Sequence, residues 1–197
     1  MSRLLCLLGK SGVGKSTLFN KIICNYDLGV EPIITYTTRP KRDNEIDGMD
    51  YNFVSQTTMN RMEAEGRIVE KRKYTTAHGA WYYFTENFDL GFNRIFITIT
   101  TPEGVKNLAE KIDKSTIIII YLEADNTVRM ERLLQRESGQ RQPSYDELNR
   151  RFLADDKDFG IDLDEFTSFR IGTANLEPDE CFSRFKEILY ELNWNFS

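Results

Sequence analysis

The chain has 197 residues, with 31 acidic against 26 basic side chains and a formal net charge of -5. That length fits one compact unit with room for a small insertion, and it can bury a full core without disulfides or metals. The acidic balance argues against general binding to nucleic-acid polymers, which require a basic face, but it leaves room for a local basic pocket that takes one small nucleotide. Cys6, Cys24 and Cys181 are too few and too scattered for a disulfide framework or a zinc site, and they suit a reducing cytosol. The apolar run within Met1 to Leu8 stops at Gly9 and Lys10, short of a signal peptide, and no stretch approaches the ~20 apolar residues of a membrane span. The expectation is a cytoplasmic protein with no membrane partner.

In chain order, Leu4 to Leu8 predicts a strand buried on both faces, and Leu18, Ile22 and Ile23 predict a helix over Lys15 to Cys24. Ile33 to Thr37 predicts a second strand, halted by Pro40. Short strands follow at Tyr51 to Val54, Ile68 to Lys73 and Ala80 to Thr85, with a helix at about Thr57 to Glu65 that Gly66 stops. Strand and helix then alternate. A strand is expected at Ile95 to Thr100. A helix from Pro102, capped by Thr101, should reach about Ile112. Ile117 to Leu122 is a β-branched strand, and Asp125 is placed to cap a helix to Glu137. Ser144 and Glu147 fit a capping box opening a helix to about Asp158. Phe169 to Ile171 is a last strand, and Pro178 to Leu192 an amphipathic helix with Phe182, Phe185, Ile188, Leu189 and Leu192 on one face. This pattern predicts an α/β fold: a parallel sheet core flanked by helices (1–36 and 93–197) and an inserted small mixed α/β subdomain (37–92).

Gly9-Lys10-Ser11-Gly12-Val13-Gly14-Lys15-Ser16 matches G-x-x-x-x-G-K-[ST], the phosphate-binding loop, between a strand and a helix. Glycines let successive N–H groups curl around phosphate oxygens, and the following helix turns its positive end to the same anion. Lys15 then reaches the β- and γ-phosphates and the Ser16 hydroxyl ligates Mg²⁺. The expected ATP-binding set is Ser11, Gly12, Val13, Gly14, Lys15, Ser16 and Thr17, with Arg132 from further along. A second signal is Thr37-Thr38-Arg39-Pro40-Lys41-Arg42, a basic turn after a strand. Its arginines suit a phosphate because the planar fork binds it bidentately.

The sequence of segments resembles the guanylate kinase family. The carrying residues are the loop above, Thr37-Thr38-Arg39 with Arg42, Asp47-Gly48-Met49-Asp50-Tyr51-Asn52-Phe53-Val54-Ser55, Gly66-Arg67-Ile68-Val69-Glu70 and Tyr82-Tyr83. The likeness is close from Leu4 to about Thr85 and looser beyond. It implies ATP-dependent phosphorylation of GMP or dGMP with Mg²⁺. It implies that Arg39, Arg42, Tyr51 and one of Tyr82 and Tyr83 grip the acceptor phosphate. Glu70 would accept from the guanine N1–H and amino group, with Thr35 and Thr85 as hydroxyls near the base. A helical lid at about 132–152 follows from Arg132-Leu133-Leu134-Gln135-Arg136. Arg136 and Arg151 would join Lys15 and Arg39 as catalytic charges, while Arg129 reads as a structural, salt-bridged residue.

The chain also departs from that family. An Asp-x-Asp pair is expected where the strand reads Ile97-Thr98-Ile99-Thr100-Thr101, without an acid. The segment after Glu70 is long and basic, through Lys71, Arg72 and Lys73, and Phe84 stands for a glycine. Base choice therefore stays open between guanine and another base. A non-catalytic binding module and a P-loop switch remain as competing readings. His78, the one histidine, reads as a loop residue.

Overall fold

Alternation along the first strand sets the layers. In the computed structural model, which describes residues 1–76, 79–160 and 167–194, the elements run in chain order. They are β1 (Arg3–Leu8), α1 (Lys15–Ile23), β2 (Val30–Pro32), β3 (Tyr36–Thr37), β4 (Asn52–Phe53), α2 (Gln56–Ala64), β5 (Ile68–Thr76) and β6 (Gly79–Glu86). Then follow β7 (Ile95–Ile99), α3 (Pro102–Ala109), β8 (Ile117–Glu123), α4 (Asn126–Ser138), α5 (Tyr145–Asp158), β9 (Phe169–Gly172) and α6 (Pro178–Glu191). Leu5 and Leu7 of β1 join Ile95, Ile97, Ile120 and Leu122 against Leu18 and Ile22 of α1 and Phe185 and Leu189 of α6. Leu4, Cys6 and Leu8 join Phe96, Ile119 and Tyr121 on the other face, against Val105 and Leu108 of α3 and Phe159. Each fully buried leucine or isoleucine stabilises the fold by about 1.5–3 kcal/mol. A strand flanked by helices on both faces is therefore apolar at every position.

The core sheet is parallel throughout, in the order β2-β7-β1-β8-β9. Its registers pair Leu4 with Phe96 and Leu4 with Ile117. A second, mixed sheet has the order β4-β3-β6-β5. The long β5–β6 hairpin is antiparallel, while β4 runs parallel to β3. A small core of Met59, Met62 and Phe84 lies under it, so the phenylalanine in place of a glycine fills the space between this sheet and α2.

Five expectations change in detail. The strand expected over Ile33 to Thr37 is divided. β2 ends on the core sheet at Pro32, Ile33 N–H still bonds Ile97 O at 2.8 Å, and the chain then crosses to the second sheet at Tyr36. The crossing carries Thr35 to the seam between the sheets. The helix from Pro102 ends at Ala109, and a separate turn follows in which Asp113 accepts from Ser115 N–H at 2.9 Å. Ser144 begins α5 without a capping box, because Glu147 is turned onto Arg150 and the Ser144 N–H is taken by Glu137 of α4 at 2.8 Å. Asp125 holds the cap position of α4 without a side-chain bond to it. β5 also runs on to Thr76, past the expected Lys73. His78 lies outside the described residues.

Candidate functional site

A cavity of about 400 Å³ opens where β1, β7 and α1 of the core meet the second sheet and the α4–α5 pair. One end is the turn between β1 and α1. Gly12 (φ +86°) lets α4 approach, since a Cβ there would lie 2.7 Å from Arg129 O. Gly14 (φ +97°) sits at the N-cap of α1 with no side chain over the helix end, leaving its first N–H groups free to meet an anion. Ser11, Gly12, Gly14, Lys15, Ser16 and Thr17 line this end. Val13 contributes backbone only: its side chain is in the core and its carbonyl accepts from Thr173 Oγ1 at 2.7 Å.

Lys15 donates to Gly9 O at 2.5 Å and Lys10 O at 3.0 Å. Burial pulls its ammonium down to about 8, with Arg136 and Arg129 adding to the fall and Asp155 opposing it. Asp155 of α5 accepts from the Ser11 N–H at 2.8 Å and from Arg129 Nη2 at 2.7 Å. Arg129 also donates to Ser11 O at 2.9 Å. Arg129 is thus a structural residue, as the sequence suggested, but it is 1% exposed and braces the loop from within rather than decorating a surface.

The other end gathers the second basic segment and the tyrosines. Arg39 is held bidentately by Glu45, at 2.9 and 2.7 Å, and its Nε–H donates to the Tyr83 hydroxyl at 3.2 Å. Arg42 shares the same Glu45, at 3.1 Å. Tyr51 stands edge-on to Tyr83 with ring centroids 5.7 Å apart. Successive residues of β6 point to opposite faces, and this separates the paired tyrosines. Tyr83 lines the cavity, while Tyr82 packs on the Met59 and Met62 cluster beneath Lys71.

Arg136 and Arg151 enter from α4 and α5, and Arg132 and Arg150 line the same cavity. Burial, then Arg42, lowers the Arg136 guanidinium. Arg151 is brought down to about 10 by burial and by repulsion from Arg42 and Arg136. Arg132 is tied to Thr173 O at 2.7 Å. Glu45, Glu137 and Glu147 offset part of this like charge, and a bound anion would offset more of it.

Between the two ends lies the third group. Thr35 lines the cavity and donates to Ile99 O at 3.3 Å. Glu70 and Thr85 are not among the lining residues. They are bonded to each other at 2.8 Å, and Arg72 stands in front of Glu70, donating from Nε and Nη2 at 3.1 Å each. Arg72 itself lines the cavity and donates from Nη1 to Thr101 Oγ1 at 3.1 Å. At the strand end, Thr98 donates to Ile33 O at 3.0 Å, and the buried Thr100 hydroxyl has no partner among the described residues.

Four residues lining the cavity carry no role in the sequence reading: Glu45, which aligns two arginines, Arg72, Tyr74 and Asp155. For Arg72 and Tyr74 a signal was present, since positions 70, 72 and 74 of one strand share a face. For Asp155 there was none, because its partners Ser11 and Arg129 lie 144 and 26 residues away. Among the described residues no three His, Cys, Asp or Glu side chains form a metal cage. A Mg²⁺ that rides on triphosphate oxygens keeps several of its waters, and the Ser16 hydroxyl at the head of α1 is placed to supply one protein ligand. No helix of the described residues is long and apolar enough to cross a membrane.

A glycine-rich loop at the head of a helix, facing a basic second subsite across one cavity, defines a P-loop nucleotide-binding protein of the two-substrate kind. The comparisons narrow this. A model of the guanylate kinase family matches residues 1–189. The chain belongs to the guanylate kinase family. It is 30% identical over 135 residues to the guanylate kinase of Malacoplasma penetrans, a match covering 68% of this chain and 58% of that one. It is 27% identical over 207 residues to the guanylate kinase of Zymomonas mobilis, covering 94% of this chain and 82% of that one. The match to the Streptococcus mutans guanylate kinase spans 59% of this chain and 56% of the relative. The crystal structure of guanylate kinase from Anaplasma phagocytophilum superposes with a TM-score of 0.64 at 19% identity, over 98% of this chain and 87% of that one, and shares the fold.

Proposed function

We propose that the chain transfers the γ-phosphoryl group of ATP to a guanine nucleoside monophosphate, GMP or dGMP, giving ADP and the diphosphate. The observation that carries this reading is the convergence of Lys15, Arg42, Arg136 and Arg151 on one cavity, where burial and like-charged neighbours disfavour the charges of Lys15, Arg136 and Arg151. Such a site is complete only when phosphates from two ligands fill it.

The backbone N–H groups from Gly12 to Ser16 and the head of α1 hold the donor phosphates, while the Ser11 N–H stays on Asp155. Arg39, Arg42, Tyr51 and Tyr83 hold the acceptor phosphate, with Glu45 fixing both arginine forks. An acceptor phosphate oxygen attacks the γ-phosphorus in line, and the bond to the ADP oxygen breaks. No protein base is needed, because the nucleophile is already anionic. Lys15, Arg136 and Arg151 offset the negative charge spread over the transferring group, which is where most of the rate comes from in this chemistry. The Ser16 hydroxyl would hold a Mg²⁺, which would supply further screening of the donor's negative charge. Segment 37–92 serves as the acceptor-holding unit and residues 132–152 as the lid that brings Arg132, Arg136 and Arg151 to the donor. The three free cysteines fit action in a reducing cytoplasm.

The test is ADP release with ATP and Mg²⁺ against GMP, dGMP, AMP, CMP, UMP and dTMP. Turnover confined to the guanine nucleotides is the expected result. Turnover on another base would keep the chemistry and change the acceptor. ATP binding without turnover on any of the six would remove the kinase reading.

A further inference from the structure

We propose that Arg72, fixed by Glu70, is the group that selects the acceptor base, and that it reads guanine from the O6/N7 edge. The inference rests on the guanine-kinase reading above and names how that site chooses its base.

Reading guanine from its N1–H and 2-amino edge needs a carboxylate facing the ligand. Glu70 does not offer one. Its side chain is 0% exposed, Oε1 accepts from Arg72 Nη2 and Thr85 Oγ1, and Oε2 accepts from Arg72 Nε. The carboxylates that do line the cavity are engaged elsewhere. Glu45 holds Arg39 and Arg42, and Asp155 holds Ser11 and Arg129. Asp158 faces the Tyr74 hydroxyl, and burial with Asp155 and Glu103 nearby disfavours its charge. At the end of β7 the lining residues are Ile99, Thr100 and Thr101, which carry no acid.

Donors, by contrast, are present. A guanidinium has five N–H groups, and three of those on Arg72 are committed to Glu70 and Thr101. The others belong to the two terminal nitrogens of a fork that lines the cavity. Two parallel N–H groups match two adjacent acceptors, which guanine presents at O6 and N7. Adenine sets an amino donor beside its N7 and opposes the fork. Arg72 is also anchored rather than loose. Its Cζ would be 3.3 Å from a Cβ at position 104, where the chain has glycine. In the same corner Thr100 lines the cavity, and its buried hydroxyl, packed against Gly104, has no partner among the described residues. Period-two alternation along β5 accounts for the arrangement. Glu70 and Arg72 share one face, so the carboxylate sits behind the fork and sets its charge and its plane.

The experiment is equilibrium binding of GMP, IMP, 7-deaza-GMP and AMP to the whole chain, with turnover of each measured separately. IMP lacks the 2-amino group and keeps O6 and N7; 7-deaza-GMP keeps the amino group and N1–H and lacks the N7 acceptor. The expected ranking is IMP within about threefold of GMP, and 7-deaza-GMP and AMP weaker by roughly tenfold or more. Equal binding of GMP and 7-deaza-GMP would overturn the inference, most directly if IMP were then the weak ligand, because Glu70 would be exchanging Arg72 for the base. Binding by none of the four would overturn it as well. If the expected ranking holds but no bound nucleotide turns over, the kinase reading falls and the base-reading inference stands. Arg72→Lys keeps a cation for Glu70 and removes the fork, so it should abolish the preference for GMP over 7-deaza-GMP. Retention of that preference in the lysine variant would place the reading elsewhere.

Discussion

The two ends of the cavity are built in opposite ways. The proposed donor end is one contiguous stretch, residues 9–17, at the head of α1, whose glycines the geometry requires. The acceptor end is assembled from β3, the loop after it, β5, β6, α4 and α5, and it is held by carboxylates that each aim an arginine: Glu45 on Arg39 and Arg42, Glu70 on Arg72. Side chains at the donor end can therefore be lost one at a time with local consequences. At the acceptor end, removing an acid disorders the charge it was holding.

The sharpest test of that contrast is at the donor end. Lys15→Ala should lower kcat by roughly a hundredfold to a thousandfold with every acceptor, since the developing charge loses one fixed counter-charge, while leaving the melting curve nearly unchanged. A steady-state assay together with thermal denaturation checks both halves. Glu70→Gln should behave in the reverse manner. It leaves the buried Arg72 without its partner and should cost about 3 kcal/mol of stability in urea unfolding, with ATP binding retained. Glu45→Gln should raise KM for the acceptor by roughly tenfold, as one carboxylate fixes two charged forks, and should leave KM for ATP within about twofold.

A smaller effect is pH-dependent. Lys15 has a folded value of about 8 against an ordinary 10.5, with burial the main cause. The unfolded chain therefore holds more protons than the folded one between those values, and stability rises with pH across that window. A bound triphosphate favours the charged form, so ATP binding near pH 8 should take up a proton and weaken as pH rises further. Titration calorimetry in buffers of different ionisation enthalpy measures that uptake, and Lys15→Met should abolish it. At the bottom of the scale, Asp156→Asn releases the exposed Lys10 from a 2.6 Å pair and should change kcat/KM by less than about twofold, as exposed pairs do.

The same contrast explains what could be read from the letters alone. The layers of the core follow from β-branched and apolar runs such as Ile117 to Leu122, which have few alternatives in water. The P-loop is legible because its function is written in neighbouring residues. The split at Ile33 was hidden because a run that leaves one sheet for another keeps the same residue types. The missing capping box at Ser144 shows a local rule losing to a tertiary one: Glu147 turns to Arg150 while Glu137, from the preceding helix, satisfies the Ser144 N–H. Arg72 reads as a surface cation within Lys71-Arg72-Lys73, and only the β5–β6 hairpin and its contact with α3 bring it under cover.

α5 touches both ends at once. Arg151 and Asp155 lie one turn apart on the same side of the helix, the first in the arginine cluster and the second on the Ser11 N–H. That short span works as a gauge block. An α-helix advances about 100° per residue, so inserting a single residue between positions 151 and 155 would leave one of the two contacts facing away. The same insertion in the connector at 139–143 would not alter the spacing. Length variation among chains of this design should therefore collect in the connector and avoid the four-residue interval, whatever residues fill it.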